Sequence, residues 1–307
     1  MKLLVNDQVV EIQLQNEKNA GEVVGQLNHW LQEQGYTLTG LSIDQQAQDP
    51  RSDAWHAQAL AGITEIAVDA NSQSQMRQAN LEILLEYAEG MHQALLALSE
   101  GQNTINQIRG YIDTYQDIRP ALHYLSGGIG TPNDEDLFIK TLDRLVADSK
   151  RPDGSFNADI LPELAGQLYA MVVLTRDRLN EVGDPIRDAR TTIMILQNML
   201  ADLSMVSTRI LTGKGKEGFD TILRFSELMS KLMRLFWLMI EAQAPGIALP
   251  FSRDELKGWT TTINETLSQI TVALDSQDTV LLGDILEYEL PQHIERLMTL
   301  IPETAKE

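Results

Sequence analysis

The hydrophobic period of this chain changes once, near residue 70, and that change constrains the fold more than any motif does. Before it, apolar residues alternate, as in Leu3 and Val5 or Val10, Ile12 and Leu14. After it, they recur every three to four residues almost to the end. Alternation means strands with one buried face, and a 3.6-residue period means helices with one buried stripe. A chain that keeps the two regimes apart is expected to be α+β, with a small sheet domain ahead of an all-helical one. The expected boundaries are 1–70 for the sheet domain, 71–76 for a linker and 77–307 for a helical bundle. The linker reading rests on Asn71-Ser72-Gln73-Ser74-Gln75, a polar run with no apolar face.

Within the first segment, Leu3 and Val5 lead into Asn6-Asp7, and the alternation resumes on the far side, which spells a β-hairpin. Residues 21–34 then place Val23, Val24, Leu27, Trp30 and Leu31 at helical spacing, with Gly35 to end the helix. Leu38, Leu41 and Ile43 mark a third strand and residues 63–68 a last one, giving ββαββ.

This order, the opening Met-Lys-Leu-Leu-Val-Asn and the Gly21-Glu22-Val23-Val24-Gly25-Gln26-Leu27 helix resemble the β-grasp (ubiquitin-like) fold, and within it the small sulfur-carrier proteins of thiamine and molybdopterin synthesis. Those carriers act through a C-terminal Gly-Gly, whereas here the last strand runs into Asp69-Ala70-Asn71-Ser72. The resemblance therefore implies a fold for residues 1–70 and a docking role, without the carrier chemistry.

The second segment reads as helices over 76–99, 102–118, 134–148, 160–181, 185–211, 216–242 and 253–275, with an eighth over 278–301. Breaks fall at Arg119-Pro120, 126–132, Pro152-Asp153-Gly154 and Ala244-Pro245-Gly246. Three times an apolar helix end is followed by a short polar turn and a second apolar helix: at 99–104, 211–216 and 275–279. Such short connections make antiparallel αα-hairpins.

Charge and residue usage narrow the function classes. With 24 basic and 44 acidic side chains the net charge is −20. That field repels phosphate, so nucleic acid is not an expected partner. The longest apolar stretch, 232–240, is nine residues and is interrupted by Arg234, short of the roughly 20 a membrane span needs, so no membrane insertion is expected. The opening residues turn polar too soon for a signal-peptide core, and the expected location is cytoplasmic. There is no cysteine, which removes disulfides, thiolate catalysis and Cys-ligated metal.

No motif supplies chemistry. The histidines, His29, His56, His92, His123 and His293, have no helical ligand spacing. Asp134-Glu135-Asp136 reads as the charged first turn of a helix. Asp153-Gly154-Ser155 fails as a calcium loop, because Ser149, Arg151 and Ile160 fall where oxygen ligands belong. Thr212-Gly213-Lys214-Gly215-Lys216 and Gly127-Gly128-Ile129-Gly130 lack the Gly-Lys-Ser/Thr that a phosphate loop requires. No Gly-x-Ser-x-Gly elbow occurs. Catalytic, cofactor and metal residues are accordingly assigned to none.

The exception to this plainness is the hairpin over 193–240, which holds six of the 11 methionines. Its second helix is apolar nearly all round, so it is either the central helix of the bundle or covered by another chain. Methionine-rich surfaces adapt to partner helices, and this yields Met229, Met233, Phe236, Trp237 and Met239 as candidate partner-binding residues. The expected function is a non-catalytic interaction protein, an adaptor, assembly factor or chaperone-like scaffold, working through a protein partner or self-association. The rival is an enzyme or a nucleotide-responsive regulator. A pocket of convergent ionisable groups would favour the rival, and an apolar surface with a polar rim the adaptor.

Overall fold

The computed structural model describes residues 1–10, 17–125, 137–151, 157–242 and 249–301. Ile12, Leu14, the acidic 134–136 cluster, the glycines at 127–130 and the breaks at 126–132, 152–154 and 244–246 lie outside them. The fold is α+β: a mixed sheet of five strands comes first and the remainder is mostly helical. Two compact units divide it near Arg77.

In the first unit, strands β1 (Lys2–Val5), β2 (Gln8–Val9), β3 (Tyr36–Ile43), β4 (Gln46–Gln48) and β5 (Glu65–Ser72) take the order β2-β1-β5-β3-β4. The β1–β5 pair is parallel and the others are antiparallel, a β-grasp-like arrangement. Helix α1 (Ala20–Glu33) buries Val23, Val24, Leu27 and Leu31, in one core with Leu3, Leu41, Ile43, Ile66 and Val68 of the sheet. Asn19 caps α1 by accepting from the Glu22 amide, and Gly35, at φ 78°, follows its last turn. The expected hairpin turns on Asn6 and Asp7, both left-handed at φ 48° and 61°. The Asn6 side chain also exchanges two hydrogen bonds with the Ala70 backbone, tying the turn to β5.

Two local expectations are corrected. Asp44 and Gln45, at φ 49° and 66°, make a second tight turn that leads into β4, a strand the alternation pattern does not reveal. Gln46-Ala47-Gln48 is an exposed edge whose pairing is made by backbone alone. The 71–76 run is not a loop. Asn71 and Ser72 finish β5, and α2 (Gln73–Ser99) starts at the next residue. Ser72 and Gln75 form a reciprocal cap: the Gln75 amide donates to Ser72 Oγ at 3.2 Å, and the Ser72 amide donates to Gln75 Oε1 at 2.8 Å.

The helical unit continues with α3 (Ile105–Ile118), α4 (Leu137–Asp148), α5 (Leu161–Gly183), α6 (Pro185–Ser204), α7 (Val206–Leu211), α8 (Gly215–Glu241), α9 (Arg253–Asp275), α10 (Thr279–Asp284) and α11 (Leu290–Met298). The single helix expected over 185–211 breaks at Met205 into α6 and α7. The one expected over 278–301 carries a π-helical turn, Ile285–Glu289, just ahead of Pro291, which has no amide to continue an α-helical ladder.

The three expected hairpin turns share one backbone device. The Gln102, Lys214 and Asp278 amides reach back five residues to the carbonyls of Ala97, Arg209 and Ala273, at 3.0, 2.8 and 2.9 Å. The residue before each is left-handed: Gly101, Gly213 and Gln277, with φ of 88°, 81° and 57°. Among the described residues no helix is long and apolar enough to cross a membrane.

Candidate functional site

Helix α8 settles where the proposed partner residues lie. Met229, Met233, Phe236 and Met239 are all buried in the unit's own core. Phe236 meets Phe251 edge-on at 5.4 Å, and Phe251 continues to Trp259 at 6.1 Å. Trp237 is partly covered, with the Arg253 guanidinium 5.6 Å above its ring. The face read as a partner surface is therefore packed by the chain itself, and α8 takes the central-helix role. From Leu232 to Met239 only Trp237 is not fully buried.

What interrupts that apolar run is Arg234, and it is buried as well. Its Nε and Nη2 donate to Glu181 Oε2 and Oε1 of α5 at 2.7 and 2.8 Å. Arg178 Nη1 donates to Glu181 Oε1 at 2.9 Å and to Asp177 Oδ2 at 3.1 Å. Lys231 closes the group by donating to Asp177 Oδ1 at 2.8 Å. Burial pushes the Asp177 pKa up, but the hydrogen bond and charge of Lys231, with Arg178 behind them, outweigh it and hold the carboxyl below its ordinary range. Burial, helped by the neighbouring Arg234 charge, lowers the Arg178 pKa against the pull of Glu181 and Asp177. This is a structural ion cluster, in which each carboxylate is paired with more than one cation.

A second polar group pins α3 to α4. Arg119 forks onto Asp143 at 3.0 and 2.9 Å, and the Tyr115 hydroxyl donates to Asp143 at 2.7 Å. Burial raises the Tyr115 pKa, and the hydrogen bond to Asp143 raises it further.

In the first unit, a shallow cleft of about 370 Å³ lies between α1 and the segment around residues 50–56. Gly21, Gly25, Asn28 and Gln32 line it from α1, Thr37 and Leu38 from β3, and Arg51, Trp55 and His56 from the far side. The Trp55 indole donates to the Asp49 carbonyl at 2.9 Å, and His56 packs on its ring at 4.1 Å. The lining holds two titratable side chains and no carboxylate, which suits recognition of a neutral or weakly acidic group better than proton transfer. Among the described residues no group of three or more His, Asp or Glu could hold a metal ion.

Among the exposed apolar side chains, three lie on the α7–α8 hairpin. Leu211, Phe219 and Leu223 are 71%, 51% and 61% exposed. Gly218 lies close under Ile210 and Val206, so the two helices touch there. Arg209 donates to Thr221 Oγ1 at 3.0 Å along one flank of the pair. At about 100° per residue, Phe219 and Leu223 lie within about 40° of each other on the side of α8 turned away from Thr221, and Leu211 lies on the side of α7 turned away from Arg209. The sequence carries this signal as Phe219 and Leu223 four residues apart, hidden within a helix that is apolar elsewhere for a different reason.

Comparison with known proteins divides the chain in a similar way. Residues 1–72 match the family described as TP0873 N-terminal domain, and residues 189–300 match a domain of unknown function (DUF8042). No curated protein and no solved structure matches the chain. The second match runs from within α6 to the end of α11, and so contains α8 and the α7–α8 hairpin.

Proposed function

We propose that this protein is a non-catalytic interaction protein, an adaptor or assembly factor, that holds a partner helix on the α7–α8 hairpin and uses its β-grasp-like unit as a docking module. The observation that carries the reading is the exposed apolar flank formed by Leu211, Phe219 and Leu223. Isolated exposed leucines are ordinary, but three large apolar side chains on one flank of two packed helices form a patch that water solvates poorly. Helix-in-groove recognition uses such surfaces, with the partner anchored through residues spaced three and four apart. The buried Met229–Met239 face does not take part, since its side chains are already packed.

The test is a photo-crosslinking amino acid at position 219 in the intact protein, expressed in its native cell. A discrete crosslinked species that disappears when Leu223→Asp is added is the expected result. No crosslink from position 219, with the protein folded and abundant, overturns the reading.

A further inference from the structure

The cleft of the first unit is lined from α1 by Gly21, Gly25, Asn28 and Gln32, which form one stripe along about 16 Å of the helix. At Gly21 the chain itself requires glycine, because a Cβ there would stand 3.1 Å from the His56 Cβ and carbonyl oxygen. At Gly25 it does not: a Cβ would meet nothing within 4 Å, and a glycine inside a helix costs stability. The space over Gly25 is open, and the missing side chain lets a foreign main chain come close. Asn28 is half-buried, and neither its amide nor that of Gln32 makes a side-chain hydrogen bond among the described residues. Each amide offers an acceptor and donors in one plane, the set that a peptide group complements. Their four-residue separation places them about 6 Å apart along α1, close to the roughly 6.6 Å at which an extended chain repeats the same edge. Leu38, Pro50 and Trp55 add apolar surface to the same cleft.

The charges beside the cleft oppose one another. Arg51 lines it, but Asp49 Oδ1 accepts from the Arg51 amide at 2.9 Å, and Asp53 Oδ1 lies 3.6 Å from His56 Nδ1. Glu22, next to Gly21, is occupied by the Lys18 amide at 2.6 Å and the Asn19 side chain at 3.0 Å. An acidic ligand would meet the two aspartates at the rim and a basic one Arg51, so the lining suits an uncharged occupant. We propose that the cleft holds a short, uncharged segment of a partner protein in extended conformation, its main chain over Gly25 and its peptide groups on the Asn28 and Gln32 amides. The proposal rests on the docking role given above to this unit and does not involve the α7–α8 hairpin. Two amides repeated at the spacing of an extended chain favour a peptide over a compact small molecule. The volume, about 370 Å³, is near the lower end for a binding site and limits the segment to a few residues.

The test is a display selection of random nine-residue peptides on the full chain, with Gly25→Leu as the counter-target. Leucine at this open position fills the cleft without displacing a neighbour, and thermal melting checks that the variant folds. Expected are peptides without net charge whose binding is lost on Gly25→Leu, falls about tenfold on Asn28→Ala/Gln32→Ala and changes little with salt. Gly25→Ala should bind them more weakly while melting higher than the native chain, since alanine favours the helix. No enrichment, equal binding to Gly25→Leu, or charged peptides released by salt overturns the proposal. A lower molar mass for Gly25→Leu than for the native chain in light scattering also overturns it, because the occupant is then a second copy. Peptides that stay on Gly25→Leu but are lost from Phe219→Asp belong to the α7–α8 hairpin: they refute the cleft and leave the hairpin reading standing.

Discussion

Arg234 of α8 and Glu181 of α5 form a two-point ion pair inside the helical bundle, 53 residues apart in sequence, and Glu181 has no exposed surface at all. Desolvating two charges is costly, and their attraction offsets that cost only when every oxygen and every N–H is used. Glu181 comes close, since Arg178 also binds it and Lys231 lies 3.5 Å away. Three cations thus share one buried carboxylate, and for Arg234 it is the one ion-pair partner among the described residues.

Glu181→Gln is accordingly expected to destabilise more than Arg234→Met. Loss of the carboxylate leaves Arg234 buried without a charge partner and Arg178 with Asp177 alone, at about 3–5 kcal/mol. The methionine replaces the arginine stem with apolar volume and leaves Arg178 and Lys231 on Glu181. Urea melts of both single variants and of Glu181→Leu/Arg234→Met check the ordering. The double variant should recover much of the loss, because no unpaired charge is created at this pair.

Phe236→Ala should cost about 3–5 kcal/mol, the usual range for emptying a buried aromatic site. Trp237→Ala should cost less, since its ring is only partly covered and mainly loses Arg253. Thermal melting with light scattering decides this. An unchanged melting point for Trp237→Ala together with a lower molar mass would instead place Trp237 at an interface.

Gln277 occupies the left-handed position that glycine holds in the other two hairpin turns. Side chains other than glycine are disfavoured there by roughly 1 kcal/mol. Gln277→Gly should therefore raise stability, whereas Gly213→Ala, at φ 81°, should lower it by a similar amount. Chemical denaturation of both variants gives the comparison.

Stability should fall at both pH extremes for identifiable reasons. For Asp143, burial favours the neutral acid, but the Arg119 fork and the Tyr115 hydroxyl prevail and lower its pKa; Asp177 is lowered as well. A lowered carboxylate contributes stability that is present above its unfolded value, about 4, and is lost as pH falls through the folded value. Tyr87 and Tyr115 are raised, chiefly by burial, so their contribution is complete below about pH 10 and is lost above it. Melting temperatures across the pH range should show both limbs, and Asp143→Asn should flatten the acid one.

A protein ending at Arg77 should fold alone. Its core, from Leu3 to Ala70, is made wholly of its own residues, and Ser72 and Gln75 cap the helix that follows. Dispersed amide resonances are the expected spectrum, and random-coil dispersion would refute it.

The sequence by itself determined the two structural regimes, because period 2 and period 3.6 are properties of neighbouring residues. It also determined the turns. Asn6-Asp7, Gly35, Gly101 and Gly213 stand where a left-handed backbone is needed, a requirement each residue meets locally. Only the tertiary structure decided what covers α8. An all-round apolar helix is equally a central helix or an interface, and the choice depends on α5, α6 and α9 closing over residues 229–239. The same holds for β4, whose Gln-Ala-Gln joins the sheet through backbone bonds that leave no trace in the side-chain pattern. Arg234 reads in sequence as a flaw in an apolar run, and becomes the centre of an ion cluster only when Glu181 arrives from another helix. Covering, edge pairing and buried charge compensation are long-range events, so they belong to the folded molecule and not to any window of its sequence.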